Sequence, residues 1–100
     1  MPVRTLRGMA RLEGHWKVRR QSGLLPPRGV SKRIGAGSGW TLLAGLPVAS
    51  FRVEASGEAR TLRYRLLPIR DELRPRPDGS WEGRGLLLGR EFCRFRLEPR

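Results

Sequence analysis

Hydrophobic and polar residues alternate along much of this chain, and the alternation has a period of two. Charged residues, mostly arginine, occupy the positions between the apolar ones. A period of two is typical of a strand with one buried face and one solvated face, as antiparallel sheets provide. The pattern therefore predicts an all-β protein with antiparallel strands. The apolar positions that share one parity are Leu12, Trp16 and Val18; Phe51, Val53 and Ala55; Leu62, Tyr64 and Leu66; and Cys93, Phe95 and Leu97.

Glycine and proline interrupt the chain so often that long helices are not expected. The chain contains 13 Gly and 8 Pro, and after the N-terminal segment no stretch that lacks both exceeds ten residues. Strands need only about four to eight residues, whereas helices usually need longer segments. We predict eight short strands, at about residues 11–20, 28–34, 39–44, 48–56, 59–67, 70–75, 80–88 and 91–98.

The connections between these segments carry turn residues. Ser56-Gly57 is expected to join the fourth and fifth strands, and Asp78-Gly79, a strong hairpin signal, the sixth and seventh. Short connections between consecutive strands favour an up-and-down meander, and closure removes the edges that a small open sheet would expose. We therefore predict an N-terminal segment over residues 1–10 and a single domain over 11–100, a small antiparallel up-and-down barrel. Whether it holds a cavity stays open.

Length and composition exclude several classes of protein. A chain of 100 residues allows one domain, and it contains no apolar run typical of a transmembrane helix or a secretory signal. The single cysteine, Cys93, cannot form an internal disulfide, and the single histidine, His15, is expected on the opposite face. We expect a cytoplasmic protein with no cofactor, no metal and no catalytic residue. An enzyme that uses Glu82 or Glu91 near the barrel mouth stays an open alternative.

The chain is strongly basic. Lys+Arg number 21 against 9 Asp+Glu, which gives a formal net charge of +12, and almost all of the cations are arginine. Arg52, Arg63 and Arg65 lie on the polar parity and would form a basic outer surface suited to nucleic acid or another polyanion. A solvated face, or a charge that reflects composition alone, is the alternative.

Each of the three tryptophans, Trp16, Trp40 and Trp81, follows a glycine at or near the start of a predicted strand. An indole at such a position is expected to plug the end of the barrel while its N–H seeks an acceptor. The aromatic residues either fill the core with no binding role or form an aromatic wall for a small apolar or aromatic ligand. The residues that we expect to form that wall are Trp40, Tyr64, Trp81 and Phe95.

The segment Gly14-His15-Trp16 resembles the G-x-W opening of the first strand in lipocalin-like (calycin) β-barrels. The resemblance implies that Trp16 closes the barrel bottom and that a basic side chain of the final strand, Arg94 or Arg96, packs over its ring. It also implies a non-enzymatic barrel that binds a small apolar molecule. The alternative function is an arginine-rich module that binds nucleic acid or another polyanion. A homodimer that buries one face of the sheet would also help to stabilise so small a domain.

Overall fold

The structure, a computed structural model, describes residues 11–100 and confirms the all-β prediction. The expected N-terminal segment, residues 1–10, lies outside the described residues. Strand β1 begins three residues later than predicted. The described part of the chain contains no helix that could span a membrane. The described residues form eight strands: β1 (Gly14–Gly23), β2 (Val30–Ile34), β3 (Ser38–Leu43), β4 (Leu46–Ser56), β5 (Ala59–Tyr64), β6 (Ile69–Pro75), β7 (Trp81–Leu87) and β8 (Arg90–Pro99).

The strands form a closed antiparallel barrel. Each strand pairs with the next one along the chain, and β8 returns to pair with β1, so the predicted up-and-down barrel is confirmed. The β1–β8 seam is long and runs from Trp16 opposite Pro99 to Gly23 opposite Cys93. The β1–β2 pairing covers only Gly14 to Lys17. The second half of β1 is therefore held by β8 alone.

The predicted Asp-Gly hairpin joins β6 and β7. The Asp78 carboxylate accepts hydrogen bonds from the backbone N–H of Ser80 at 3.0 Å and from its hydroxyl at 2.6 Å. Gly79 follows with a φ of +88°, a conformation that glycine adopts without steric cost. The turn residues therefore fix this connection locally, as the sequence predicts.

The barrel interior is narrow, and inward-facing glycines make room for its aromatic rings. A Cβ added at Gly39 would lie 2.8 Å from the Phe51 ring, and one at Gly83 would lie 2.6 Å from the Phe95 ring. Such distances are shorter than van der Waals contact, so each glycine leaves the space that the opposite ring fills. The largest fully buried side chains are Trp81, Phe51, Leu62, Leu73 and Leu97.

Two tryptophans close the end of the barrel near residues 11–13. The indole N–H of Trp16 donates to the Leu12 carbonyl at 2.6 Å, and that of Trp81 donates to the Arg11 carbonyl at 3.1 Å. Trp40 is the exception, since its side chain is 48% exposed. Gly39 takes the inward position of β3, so Trp40 faces outward. This placement corrects the expectation that all three tryptophans plug the barrel.

Candidate functional site

A cavity of about 140 Å³ lies inside the barrel, at the end away from Trp16. The β1–β2 connection reaches over this end through Leu25, which packs against the core. The wall is mostly apolar, and its polar members come from four different strands. The lining side chains are Val18, Leu25, Val30, Ile69, Phe92, Cys93 and Phe95, together with Lys32, Thr41, Tyr64 and Asp71.

The four polar side chains form one connected group, here called the Lys32 cluster (Lys32, Thr41, Tyr64 and Asp71). The Lys32 ammonium donates to Thr41 Oγ1 and to Tyr64 OH, each at 2.6 Å, and lies 3.1 Å from Asp71 Oδ2. The Tyr64 hydroxyl also donates to Asp71 Oδ2 at 3.1 Å. Lys32 and Asp71 are only 3% and 4% exposed. Burial of both charges is tolerated because each faces an opposite charge and is hydrogen-bonded.

Strand parity places these charges inside. Lys32 lies between Val30 and Ile34 on β2, and Asp71 lies between Ile69 and Leu73 on β6, so each charge shares a face with apolar neighbours. The consecutive carboxylates Asp71 and Glu72 point to opposite faces, as expected on a strand. A charged residue flanked two positions away by apolar residues is the sequence signal for this cluster. The residues predicted to form a site include neither Lys32 nor Asp71.

Burial and pairing set the charge states of the cluster. Burial opposes the charged form of Lys32, but Asp71 and Tyr64 outweigh burial and raise the pKa of this lysine above its ordinary value of 10.5. The ammonium also lies 5.4–5.7 Å from three ring centroids, those of Phe51, Tyr64 and Phe95. These are cation–π distances. Burial raises the pKa of the Tyr64 phenol, so it stays protonated at neutral pH.

Cys93 faces the same cavity, and its environment disfavours a reactive thiolate. The side chain is buried, and burial raises the pKa of the thiol. Cys93 lies opposite Gly23, at the far end of β1 from His15, so the two do not form a nucleophile pair. Among the described residues, no group of three His, Cys, Asp or Glu side chains is arranged to hold a metal.

The four residues predicted to form the aromatic wall lie in three places. Tyr64 and Phe95 line the cavity. Trp81 is buried at the closed end and does not reach the cavity, and Trp40 lies on the outer surface. The predicted aromatic wall does not include the polar part of the cavity, which Lys32, Thr41 and Asp71 form.

The two arginines expected to pack over Trp16 face outward instead. The Arg94 guanidinium donates to Glu91 at 2.9 Å, and Arg96 lies opposite Glu82 in the β7–β8 register. Because Cys93, Phe95 and Leu97 take the inward positions of β8, the arginines between them face solvent. Within residues 11–100, the cation–π contacts that the structure shows belong to Lys32.

The arginines proposed as a polyanion surface lie on the outer face. Arg52 lies directly opposite Arg63 across β4 and β5, and Arg65 is exposed just beyond the end of β5. Glu54 lies 3.1 Å from Arg63 and offsets part of this charge. The carboxylates of Glu82 and Glu91 are likewise engaged by outer arginines.

A second basic region lies outside the barrel, where β1 and β2 separate. A groove of about 670 Å³ runs beside this opening, and its cations are Lys17, Arg19, Arg28 and Arg100. Arg19 is paired with Glu98 at 3.2 Å. Val18 and Val30 line both this groove and the interior cavity, so they separate the two.

The closed eight-stranded barrel is compatible with the lipocalin-like resemblance, since Trp16 lies at its closed end. Comparisons of the chain with protein-family models, with curated proteins and with solved structures found no match.

Proposed function

We propose that this protein is a non-enzymatic binding barrel of lipocalin-like type that takes a small apolar or aromatic molecule into its interior cavity. The observation that carries the proposal is the cavity of about 140 Å³ beside Tyr64 and Phe95. Apolar walls with a few placed polar groups are typical of small-molecule sites. The Lys32 cluster supplies the polar groups.

The cavity volume limits the size of the ligand. Drug-sized ligands occupy pockets of about 300–1,000 Å³, whereas an apolar cavity of about 150 Å³ accommodates benzene. The cavity of about 140 Å³ therefore fits a single aromatic ring with one small substituent. A larger ligand requires movement of a wall residue, and Leu25 on the β1–β2 connection is the first candidate.

Toluene is a suitable probe, and NMR titration of the amide signals measures its site. We expect toluene to shift the signals of the cavity-lining residues Val18 and Cys93 in the wild-type protein. Val30→Phe adds volume to the cavity wall and is expected to abolish these shifts. Val53→Phe is the matched control, because Val53 packs against the core but does not line the cavity. Toluene shifts that survive Val30→Phe would refute the proposal, as would the absence of shifts with both toluene and the hydroxyl-bearing probe phenol at millimolar concentration.

Polyanion binding is the second candidate function, and the basic groove beside β1 favours it. Lys17, Arg28 and Arg100 line one depression of about 670 Å³. Clustered cations of this kind bind phosphate backbones and release counterions, so the affinity falls steeply with salt. The strand-borne set of Arg52, Arg63 and Arg65 is the competing location for the same activity.

Fluorescence anisotropy of a labelled single-stranded oligonucleotide, measured at several salt concentrations, tests this candidate. Lys17→Gln/Arg28→Gln and Arg52→Gln/Arg65→Gln remove the same charge from the two locations. If the groove binds, the first pair weakens binding more than the second. A larger effect of the second pair would favour the strand-borne set. Absence of binding at low salt would refute polyanion binding.

A further inference from the structure

The donors of the Lys32 cluster are all used within the cluster. The ammonium of Lys32 donates to Thr41 Oγ1 and Tyr64 OH and forms an ion pair with Asp71 Oδ2 at 3.1 Å. Since Tyr64 donates to Asp71 Oδ2, the hydroxyl proton of Thr41 is the one that bridges to Tyr64 OH at 2.6 Å. Both hydroxyl protons of the cluster are therefore used within it, and the ammonium is already paired with the Asp71 carboxylate.

One strong acceptor of the cluster remains. Both protein contacts of the Asp71 carboxylate fall on Oδ2, and Oδ1 has no hydrogen-bond partner among the described residues. The side chain of Asp71 is only 6% exposed, and the residue lines the cavity. Oδ1 is not among the fully enclosed side-chain atoms that lack a partner, so it keeps some accessible surface. A carboxylate oxygen beside a mostly apolar cavity is costly if it has no hydrogen bond. It therefore has to be satisfied by water or by a ligand that occupies the cavity.

We infer that the occupant of the cavity is a small aromatic molecule with a hydroxyl or amino group that donates a hydrogen bond to Asp71 Oδ1. This inference rests on the proposed binding function and names the ligand class. A bond to a carboxylate is charge-assisted and stronger than one between neutral groups. A purely apolar ligand would displace the water and leave Oδ1 unsatisfied. A ligand with a carboxylate is disfavoured, because it would face Asp71 while Lys32 is already paired.

Four probes with the same number of non-hydrogen atoms separate these cases: phenol and aniline donate hydrogen bonds, whereas toluene and fluorobenzene do not. Dissociation constants come from NMR titration or calorimetry with the full-length wild-type protein. We expect phenol and aniline to bind at least about tenfold more tightly than toluene and fluorobenzene, because hydrogen bonds to charged groups have a net strength consistent with this factor. Equal affinities would overturn the inference and leave the binding barrel intact. No binding by any probe would refute the binding function itself.

Two variants test whether Asp71 causes the preference for phenol over toluene. Lys32→Met/Asp71→Leu removes both buried charges together and leaves the neutral hydroxyls of Thr41 and Tyr64 as polar groups of the cavity wall. Since a hydrogen bond to a neutral group is weaker than one to a carboxylate, the ratio of phenol to toluene affinity is expected to fall about tenfold. Glu72→Gln is the matched control, since Glu72 is the neighbouring carboxylate on the outer face and binds Arg70 and Arg84. A phenol preference that survives in the double variant would overturn the assignment to Asp71. If that variant does not fold, the comparison of the four probes on the wild-type protein still decides.

Discussion

At the scale of single residues, Lys32 and Asp71 distinguish this barrel from one with a purely apolar interior. Their ammonium and carboxylate are 3.1 Å apart and almost fully buried. Desolvation of two charges costs several kcal/mol per ion, and their attraction offsets this only while both partners are present. Replacing both partners together is therefore expected to change stability little, whereas removing either partner alone is expected to be strongly destabilising.

Lys32→Met is expected to destabilise the protein by about 3–5 kcal/mol, because it leaves the Asp71 carboxylate buried without its partner. Lys32→Met/Asp71→Leu should recover most of that loss. Urea denaturation followed by circular dichroism measures both. Arg63→Met is the control, since the exposed Arg63–Glu54 pair contributes at most about 1 kcal/mol. A Lys32→Met loss as small as that of Arg63→Met would contradict this account.

The same residues predict a loss of stability at alkaline pH. The pKa values of Lys32 and Tyr64 are both raised, from ordinary values of 10.5 and 10.0, so above about pH 10 the native state holds more protons than the unfolded state. The contribution of these two groups to stability is then constant below about pH 9 and falls as pH rises beyond it. Tyr64→Phe should make the decline between about pH 9 and 11 shallower. An unchanged slope of unfolding free energy against pH would contradict the role of Tyr64.

At the scale of elements, β7 is adapted to the side chains on its neighbours. Its inward positions after Trp81 are Gly83 and Gly85, and an added Cβ at Gly83 would meet both the Phe95 ring and Leu73. Glycine weakens a strand through its backbone entropy. In this barrel, the absence of a side chain at Gly83 allows Leu73 of β6 and Phe95 of β8 to meet across β7.

Gly83→Ala is expected to lower the free energy of unfolding by about 1–3 kcal/mol, because the new methyl group overpacks the interior. Gly37→Ala is the matched control, since a Cβ at Gly37 meets nothing within 4 Å. That substitution should change stability by no more than about 0.5 kcal/mol. Urea denaturation gives both values. Equal effects of the two substitutions would show that backbone entropy, and not packing, governs Gly83.

At the scale of the whole molecule, closure links every strand to two neighbours. The inner face is buried within one chain, so covering it does not require a second copy, and the homodimer stays a prediction that sedimentation velocity can test. Most of the exposed large hydrophobic residues lie at or beside the β1–β2, β3–β4, β5–β6 and β7–β8 connections, which an up-and-down barrel places at one end. They are Leu24, Leu43, Leu46, Val48, Leu66, Leu67, Leu87 and Leu88.

A closed barrel of this size is expected to unfold in one cooperative step. Trp40→Phe leaves Trp16 and Trp81 as the fluorescent reporters, both at the closed end. Their emission and the far-ultraviolet circular dichroism should then give the same urea midpoint. Two separate midpoints would show that the closed end and the rest of the sheet unfold independently.

The sequence alone determined the strands, their order and most of the residues that face inward. Trp40 and Leu66 are exceptions, since both side chains are exposed and β5 ends at Tyr64, before Leu66. These properties depend on short-range patterns: alternation of period two, turn residues such as Asp78-Gly79, and the frequency of glycine and proline. Even Lys32 and Asp71 carried a local signal, since apolar residues flank each of them two positions away on the same strand. The outward placement of Arg94 and Arg96 follows from the same alternation.

Only the tertiary structure decided that Lys32 and Asp71 meet, that Thr41 and Tyr64 join them, and that a cavity remains beside them. These residues lie on four strands, and their distances depend on register, on bulges such as the one between Thr41 and Leu42, and on closure of β8 against β1. The cavity is the small difference between the space enclosed by the barrel and the volume of the side chains that fill it. Local patterns do not encode such a difference, because it arises from the packing of all eight strands together.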